Sequence, residues 1–151
     1  REDVLAAKRN HRIDKIQERM IMEKLIKQVM DLRKNSYSPY SKFPVAAVLE
    51  LKDGRTYNGV NIENAAFGLS NCAERSALFS AYSDGVKKED IKQIFVHTDR
   101  DYFVSPCGSC RQVMRELMEP DAKIILVNGK GETKIIKNAE LLPFGFSKEQ
   151  L

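Results

Sequence analysis

Residues 91–127, IKQIFVHTDRDYFVSPCGSCRQVMRELMEPDAKIILV, decide the fold of this chain. Ile91–Thr98 and Lys123–Val127 are rich in apolar and β-branched residues, which predicts two strands. Between them the sequence predicts a helix from Cys107 to about Met118, with Pro106 in the place of a first helical residue. The order strand, helix, strand indicates a sheet that is covered by helices.

The flanking segments extend the same architecture. Upstream, an irregular amphipathic pattern without Gly or Pro predicts a helix from Ile13 to about Arg33. The other predicted elements are strands at 45–51, 55–60 and 133–136, a hairpin turn at 52–54, and helices at 72–83, capped by Asn71, and 138–142. The order α-β-β-α-β-α-β-β predicts a single-domain, three-layer α/β/α fold with a mixed sheet of about five strands.

Composition and charge exclude several classes of partner. The chain has 151 residues, and its 25 basic and 21 acidic side chains are spread along it for a net charge of +4. It lacks the clustered basic residues of a nucleic-acid binder and any apolar run near the roughly 18 residues of a membrane span. Three cysteines, an odd number, fit metal ligation in a reducing compartment better than disulfides. We therefore expect a cytoplasmic, globular protein that acts on a small molecule.

The first twenty residues form an N-terminal extension, either a tail or an extra helix. Residues 1–12 carry acidic and basic side chains with few apolar ones, which favours a mobile tail over a targeting peptide. We expect the main domain to span residues 21–151.

The three cysteines form a pattern that specifies a metal site. Cys107 and Cys110 are three residues apart at a predicted helix start, so they share one face, and Cys72 holds the same place on another helix. Three thiolates leave one position of a tetrahedral zinc ion open, as in catalytic sites. Glu74 can fold back toward that position and move protons. Cys-x-Glu followed by Pro-Cys-x-x-Cys is the signature of zinc nucleobase deaminases, here with Cys in place of the first His.

Such a site needs nearby positive charge to balance the negative charge of its thiolates. Zinc with three thiolates carries a net charge of about −1 by counting, which opposes the ionisation of a bound water. The positive ends of two helices supply one offset. Arg75, three residues after Cys72 and on its face, supplies another as a hydrogen-bond donor to the sulfurs.

Other interpretations of these residues do not involve catalysis. An isolated Cys-x-x-Cys is often a redox pair or half of a structural zinc site. The strongest structural rival is a closed site with His97 as fourth ligand, although a lone histidine at a strand end is more often packed or exposed. Asn61 and Glu63 could form a solvated loop. Three phenylalanines would by default belong to the core: Phe43, Phe67 and Phe144.

Five motifs, in this order, resemble one known family. They are Ser38-Pro39-Tyr40-Ser41-Lys42-Phe43-Pro44-Val45, Asn61-Ile62-Glu63-Asn64-Ala65-Ala66, Cys72-Ala73-Glu74-Arg75, Ser105-Pro106-Cys107-Gly108-Ser109-Cys110-Arg111-Gln112-Val113, and Leu141-Leu142-Pro143 with Phe146. This set is similar to that of the small homotetrameric, zinc-dependent cytidine deaminases of pyrimidine salvage. The likeness extends from about residue 22 to the C-terminus, and only two of the motifs concern the metal.

The resemblance implies a reaction and the residues that perform it. Zinc would be bound by Cys72, Cys107 and Cys110, and Glu74 would be the proton shuttle. The reaction would be the hydrolytic deamination of cytidine and 2′-deoxycytidine to uridine and 2′-deoxyuridine with release of ammonia. The expected fold is a cytidine deaminase-like catalytic domain at residues 21–151.

The resemblance also implies how the nucleoside is held. Phe43 would pack on it, while Asn61 and Glu63 would hydrogen-bond the ribose 3′-hydroxyl. The backbone N–H of Ala73 would hold the pyrimidine O2, and the carbonyl of Ser105 would face the departing amine.

A further implication is a homotetramer with shared active sites. In the family a C-terminal phenylalanine stacks on the base from a neighbouring subunit, and Phe146 matches it by its distance from Leu141-Leu142-Pro143. This chain departs from the family pattern at Ala46, where Gly is usual, and at Phe67, where an interface Tyr is common. These departures concern packing and one intersubunit hydrogen bond.

Three rival functions share part of the pattern. A deaminase of a cytosine-containing antibiotic such as blasticidin S has the same zinc motif, but the pair Asn61 and Glu63 and the ring of Phe146 argue against it. A polynucleotide editor conflicts with the even charge distribution. A non-catalytic zinc module has no use for the carboxylate of Glu74 beside the metal.

Overall fold

A mixed five-stranded sheet forms the centre of the molecule, in the order β2-β1-β3-β4-β5. The computed structural model describes residues 2–151. Its strands are β1 Val45–Leu51, β2 Thr56–Val60, β3 Ile91–Thr98, β4 Lys123–Val127 and β5 Thr133–Lys137. Only β3 and β4, the two strands of the opening stretch, pair in parallel, and the other neighbours are antiparallel. The predicted strands differ from these by at most one residue at an end.

Helices cover both faces of this sheet and produce the predicted three layers. They are α1 Glu2–Leu32, α2 Ala73–Ser83, α3 Gly108–Leu117 and the short α4 Asn138–Leu141. Alternate residues of each strand point to opposite faces. Leu25 and Val29 of α1 pack on the face that carries Phe95. Leu78 of α2 and Met114 of α3 pack on the other face. Among residues 2–151 no helix combines the length and apolarity needed to cross a bilayer.

The N-terminal extension is helical rather than a mobile tail. Residues 2–12 are the first turns of α1, which runs without a break into the predicted helix, so the mobile-tail interpretation is wrong for them; Arg1 lies outside the described residues. The segment has neither Gly nor Pro and is rich in Ala, Lys and Arg, which favour helix. Leu5, Ile13 and Ile16 are exposed, and burial of α1 begins in the turn that carries Met22 and Leu25.

Candidate metal and active site

The ends of α2 and α3 bring the metal-site residues together. Cys72 is the N-cap of α2 and Cys107 the N-cap of α3, both with extended backbone. The predicted cap Asn71 instead donates from Nδ2 to Ser76 Oγ at 3.1 Å, and Pro106 precedes the cap of α3 instead of starting the helix. A cap side chain lies beside N–H groups that have no intrahelical acceptor, so two positive helix ends face the same point.

The three thiols have the spacing of a zinc site. The Sγ atoms of Cys72, Cys107 and Cys110 all lie within 4.8 Å of one another. The Cys72 and Cys107 sulfurs are 3.8 Å apart, and tetrahedral zinc with bonds of about 2.3 Å requires sulfurs about 3.8 Å apart. Cys110 is buried and Cys107 is exposed, so the cluster lies where the core meets the surface. The donor set and its geometry therefore fit zinc.

Arg75 supplies the predicted positive charge beside the sulfurs. Its Nη2 donates to Cys72 Sγ at 3.3 Å. Hydrogen bonds from Cys110 and Arg75 lower the pKa of the Cys72 thiol to about 5. The hydrogen bond to Cys72 in turn raises the pKa of Arg75. Cys72 thus favours the thiolate form that a metal requires, whereas the hydrogen bond with Cys72 raises the pKa of Cys110.

Glu74 is the buried carboxyl group of the site. It is 4% exposed and lies in the first turn of α2, on the wall of the cavity that also contains Cys72 and Cys107. Burial raises the pKa of Glu74 to about 7. A carboxyl group with such a pKa can both accept and return a proton near neutral pH.

A single cavity of about 430 Å³ joins the metal site to the predicted nucleoside-binding residues. This volume lies within the usual range for small-molecule pockets. The predicted residues that line it are Phe43, Asn61, Glu63, Ala73, Glu74 and Ser105. Ala73 is buried and is the first residue of α2, so its N–H has no intrahelical acceptor.

Asn61 and Glu63 also hold the loop that leads into β1, a role that the sequence did not reveal. Asn61 Nδ2 donates to Phe43 O at 2.8 Å, and Asn61 Oδ1 accepts from Val45 N at 2.9 Å. Glu63 Oε1 accepts from the backbone N–H groups of residues 40 and 41, both at 3.1 Å. Hydrogen bonding from Ser41 lowers the pKa of Glu63, so the carboxylate stays charged at the edge of the cavity.

Arg111 was missed as a site residue, although it follows Cys110 directly in the motif. It donates from Nη2 to Ser105 Oγ, and from Nε to Pro106 O at 2.7 Å. Its Nη1 reaches Leu141 O at 2.9 Å. Arg111 therefore fixes the loop that presents Ser105 to the cavity.

His97 does not belong to the metal site. Val96 and Thr98 line the cavity, so His97, between them on β3, points to the opposite face of the sheet. It is buried there, with Nδ1 3.1 Å from Val127 O, and burial lowers its pKa. The metal cluster found in residues 2–151 contains only the three cysteines. The closed Cys₃His site is therefore wrong.

Three predicted aromatic residues lie on the surface. Phe67 is 88% exposed, Phe144 fully exposed and Phe146 56% exposed. The default assignment of Phe67 and Phe144 to the core is wrong, while Phe43 is half-buried against the cavity. Gln112 Nε2 donates to Phe146 O at 3.1 Å, and the described lining of its own chain's cavity does not include Phe146.

Comparison with known proteins agrees with this geometry. A family model described as "Cytidine and deoxycytidylate deaminase zinc-binding region" matches residues 20–127. A cytidine deaminase of Halalkalibacterium halodurans is 48% identical over 132 residues, which cover 87% of this chain and 98% of that protein. One from Mycoplasma genitalium is 36% identical, over 84% and 96% of the two chains. A crystal structure of cytidine deaminase from Burkholderia pseudomallei matches with a TM-score of 0.79 and 41% identity, over 82% of this chain and 98% of that one.

Proposed function

Because this chain belongs to the cytidine and deoxycytidylate deaminase family, we propose that it hydrolyses the 4-amino group of cytidine and 2′-deoxycytidine. The products are uridine or 2′-deoxyuridine and ammonia. The observation that carries this proposal is that one cavity is lined by two thiols of the three-cysteine cluster, a buried carboxyl group and the pair Asn61 and Glu63. The thiols and the carboxyl group serve the chemistry, and the pair serves the sugar.

Zinc would be held by Cys72, Cys107 and Cys110. When bound, it supplies a Lewis acid that lowers the pKa of a water molecule at its fourth position. Arg75, at 3.3 Å from Cys72 Sγ, offsets part of the thiolate charge. This offset keeps the three sulfurs from cancelling the positive charge of the metal.

Glu74 moves the protons of the reaction. It takes a proton from the attacking water and delivers it to N3 of the pyrimidine as the new C–O bond forms at C4. It then passes the remaining hydroxyl proton to the amine, the C4–N bond breaks, and ammonia leaves as the C4 carbonyl forms. A raised pKa near 7, caused by burial, suits a group that must accept and donate in one cycle.

The other lining residues orient the nucleoside. We assign Phe43 to the apolar wall, Asn61 and Glu63 to the 3′-hydroxyl, and the N–H of Ala73 to the pyrimidine O2. The carbonyl of Ser105 faces the departing amine. Their common position on the cavity wall supports these roles.

We further propose a homotetramer in which Phe146 closes the site of a neighbouring subunit. Support comes from its exposed ring and its place outside its own cavity. We also place the catalytic unit at residues 21–151, since the family match begins at residue 20 and burial of α1 begins just after it.

The test is to incubate the zinc-loaded protein with cytidine, 2′-deoxycytidine, CMP and blasticidin S and follow the loss of cytosine absorbance. We expect turnover of both nucleosides and little turnover of the other two. Turnover confined to blasticidin S would replace this proposal with the antibiotic deaminase. If zinc-loaded, folded protein turned over none of these substrates, the interpretation as a non-catalytic zinc module would replace the proposal.

A further inference from the structure

A cation lies on the ring of Phe43. The guanidinium carbon of Arg100 lies over the ring, 5.0 Å from its centroid, within the range of a cation–π contact. Phe43 lines the 430 Å³ cavity, whereas Arg100 is outside the described lining. Arg100 therefore contacts the ring without itself lining the cavity.

Hydrogen bonds hold the backbone of Phe43 at both its N–H and its carbonyl group. Ser41 Oγ accepts from Phe43 N at 3.1 Å, and Asn61 Nδ2 donates to Phe43 O at 2.8 Å. Lys42, just before it, has a φ of 56°, which is uncommon for a residue other than glycine and sharply turns the chain. These contacts set where the side chain begins. They do not set which way the half-buried ring is turned.

Arg100 is itself held in place from two sides. Its backbone O accepts from Gly129 N at 2.6 Å, which ties it to the turn between β4 and β5. Asp99 Oδ1 is 3.8 Å from Arg100 Nε, while Asp99 Oδ2 accepts from Arg33 Nη1 at 3.0 Å. The Arg100 side chain is therefore linked through Asp99 to the turn that follows α1, and its backbone to the turn between β4 and β5.

We propose that Arg100 is a positioning residue for nucleoside binding, which holds the Phe43 ring as a wall of the cavity. This inference rests on the proposed function for its kinetic part. Arg100 contacts the ring but is not among the residues that line the cavity, so its loss should weaken binding and leave the chemical step unchanged. An exposed cation–π contact corresponds to about a two- to fivefold effect on KM.

The kinetic test uses Arg100→Gln, Arg100→Lys and Phe43→Leu in the zinc-loaded enzyme. Arg100→Gln should raise KM for cytidine about two- to fivefold with kcat unchanged. Arg100→Lys keeps a cation, so its KM should stay close to that of the wild type. In the Phe43→Leu background Arg100→Gln should have no further effect. Arg55→Gln is the matched control, because Arg55 pairs with Asp53 in the hairpin and not with the site.

A second measurement does not depend on turnover. The chain has seven phenylalanines, and 4-fluorophenylalanine labelling gives each a fluorine NMR signal, with that of Phe43 assigned by its loss in Phe43→Leu. Arg100→Gln should shift or broaden the Phe43 signal, and Arg55→Gln should not.

Two results would overturn the inference: an unmoved Phe43 signal, or a KM increase for Arg100→Gln that persists undiminished in Phe43→Leu. If wild-type protein does not turn over cytidine, the proposed function fails, and the fluorine spectrum still decides whether Arg100 positions the ring.

Discussion

The metal end of the cavity and the exposed aromatic residues Phe67 and Phe146 differ in how completely a single chain buries them. Cys110 and Ala73 are fully buried and Glu74 is 4% exposed. Phe67 and Phe146, by contrast, are 88% and 56% exposed. The reacting groups are thus assembled within one chain, while large apolar rings remain in solvent.

Under the proposed homotetramer, this difference separates what the chain does alone from what a second copy would supply. The thiol cluster and the buried carboxyl group of Glu74 have their electrostatic environment set within one chain, by two helix ends and by Arg75. Exposed aromatic rings lose their contact with water only against another surface. We infer that chemistry belongs to the single chain and closure of the site to the assembly.

The largest effect should come from removing a buried ligand. Cys110→Ala takes away the one cysteine that is fully buried, and we expect zinc content to fall from about one per chain to near zero, with turnover lost. His97→Gln is the matched control, since His97 is equally buried but faces the other side of the sheet. Elemental analysis decides it; loss of zinc in His97→Gln but not in Cys110→Ala would refute the ligand assignment.

Glu74→Gln tests whether Glu74 transfers protons without binding the metal. We expect kcat to fall about 10² to 10⁴-fold, since Gln cannot exchange protons. Fold and zinc content should be retained, because Glu74 is not a ligand in this assignment. Steady-state kinetics with zinc analysis measure both. A folded, zinc-loaded variant with near wild-type kcat would remove Glu74 from the mechanism.

Asn61→Ala and Glu63→Ala test whether these two side chains bind the sugar of the nucleoside. Each leaves a ribose hydroxyl poorly paired, at a cost of about 1 to 3 kcal/mol, or about 5 to 150-fold in kcat/KM for cytidine. Turnover of free cytosine should change much less. Because both side chains also hold the 36–45 loop, thermal unfolding is measured alongside. Equal losses with cytidine and cytosine would contradict a sugar-binding role.

Phe146→Ala tests whether closure comes from a second chain. Base stacking on an aromatic ring is worth about 1 to 3 kcal/mol, so KM should rise with zinc content unchanged. Phe144→Ala, an exposed neighbour, is the control and should have little effect. Mixed subunits of Phe146→Ala and Glu74→Gln should regain activity, because an intact Glu74 site can receive an intact ring. Fully active monomers, or mixtures without rescue, would contradict the shared site.

The metal site was predictable from the sequence because its cysteines form a recognisable pattern, although Cys72 and Cys107 are 35 residues apart and meet only in the folded chain. Cys72, Cys107 and Cys110 each sit at a helix start, and a helix start places a side chain on one known face. The exact caps were not predictable. Asn71 is the better capping residue by type, yet Cys72 is the cap of α2 and the Asn71 side chain donates to Ser76 Oγ instead.

The aromatic residues were not predictable because their partners are not local. Phe67 and Phe144 have the composition of core residues and lie in solvent, and no spacing rule distinguishes the two cases. Arg100 was missed for a related reason: its contact with Phe43 joins residues 57 positions apart in the chain. For the start of α1 the sequence leaves a tail and an extra helix open, because its charged side chains are compatible with both, and the structure is helical there.

Zinc X-ray absorption on the purified enzyme can establish whether the three cysteines form an open catalytic site. We expect three sulfur neighbours at about 2.3 Å and one oxygen or nitrogen neighbour at about 2.0 Å. The outer-shell pattern of a histidine ring should be absent, and the spectrum should be unchanged in His97→Gln. A histidine pattern that disappears in His97→Gln, or fewer than three sulfurs per zinc, would contradict an open three-cysteine site.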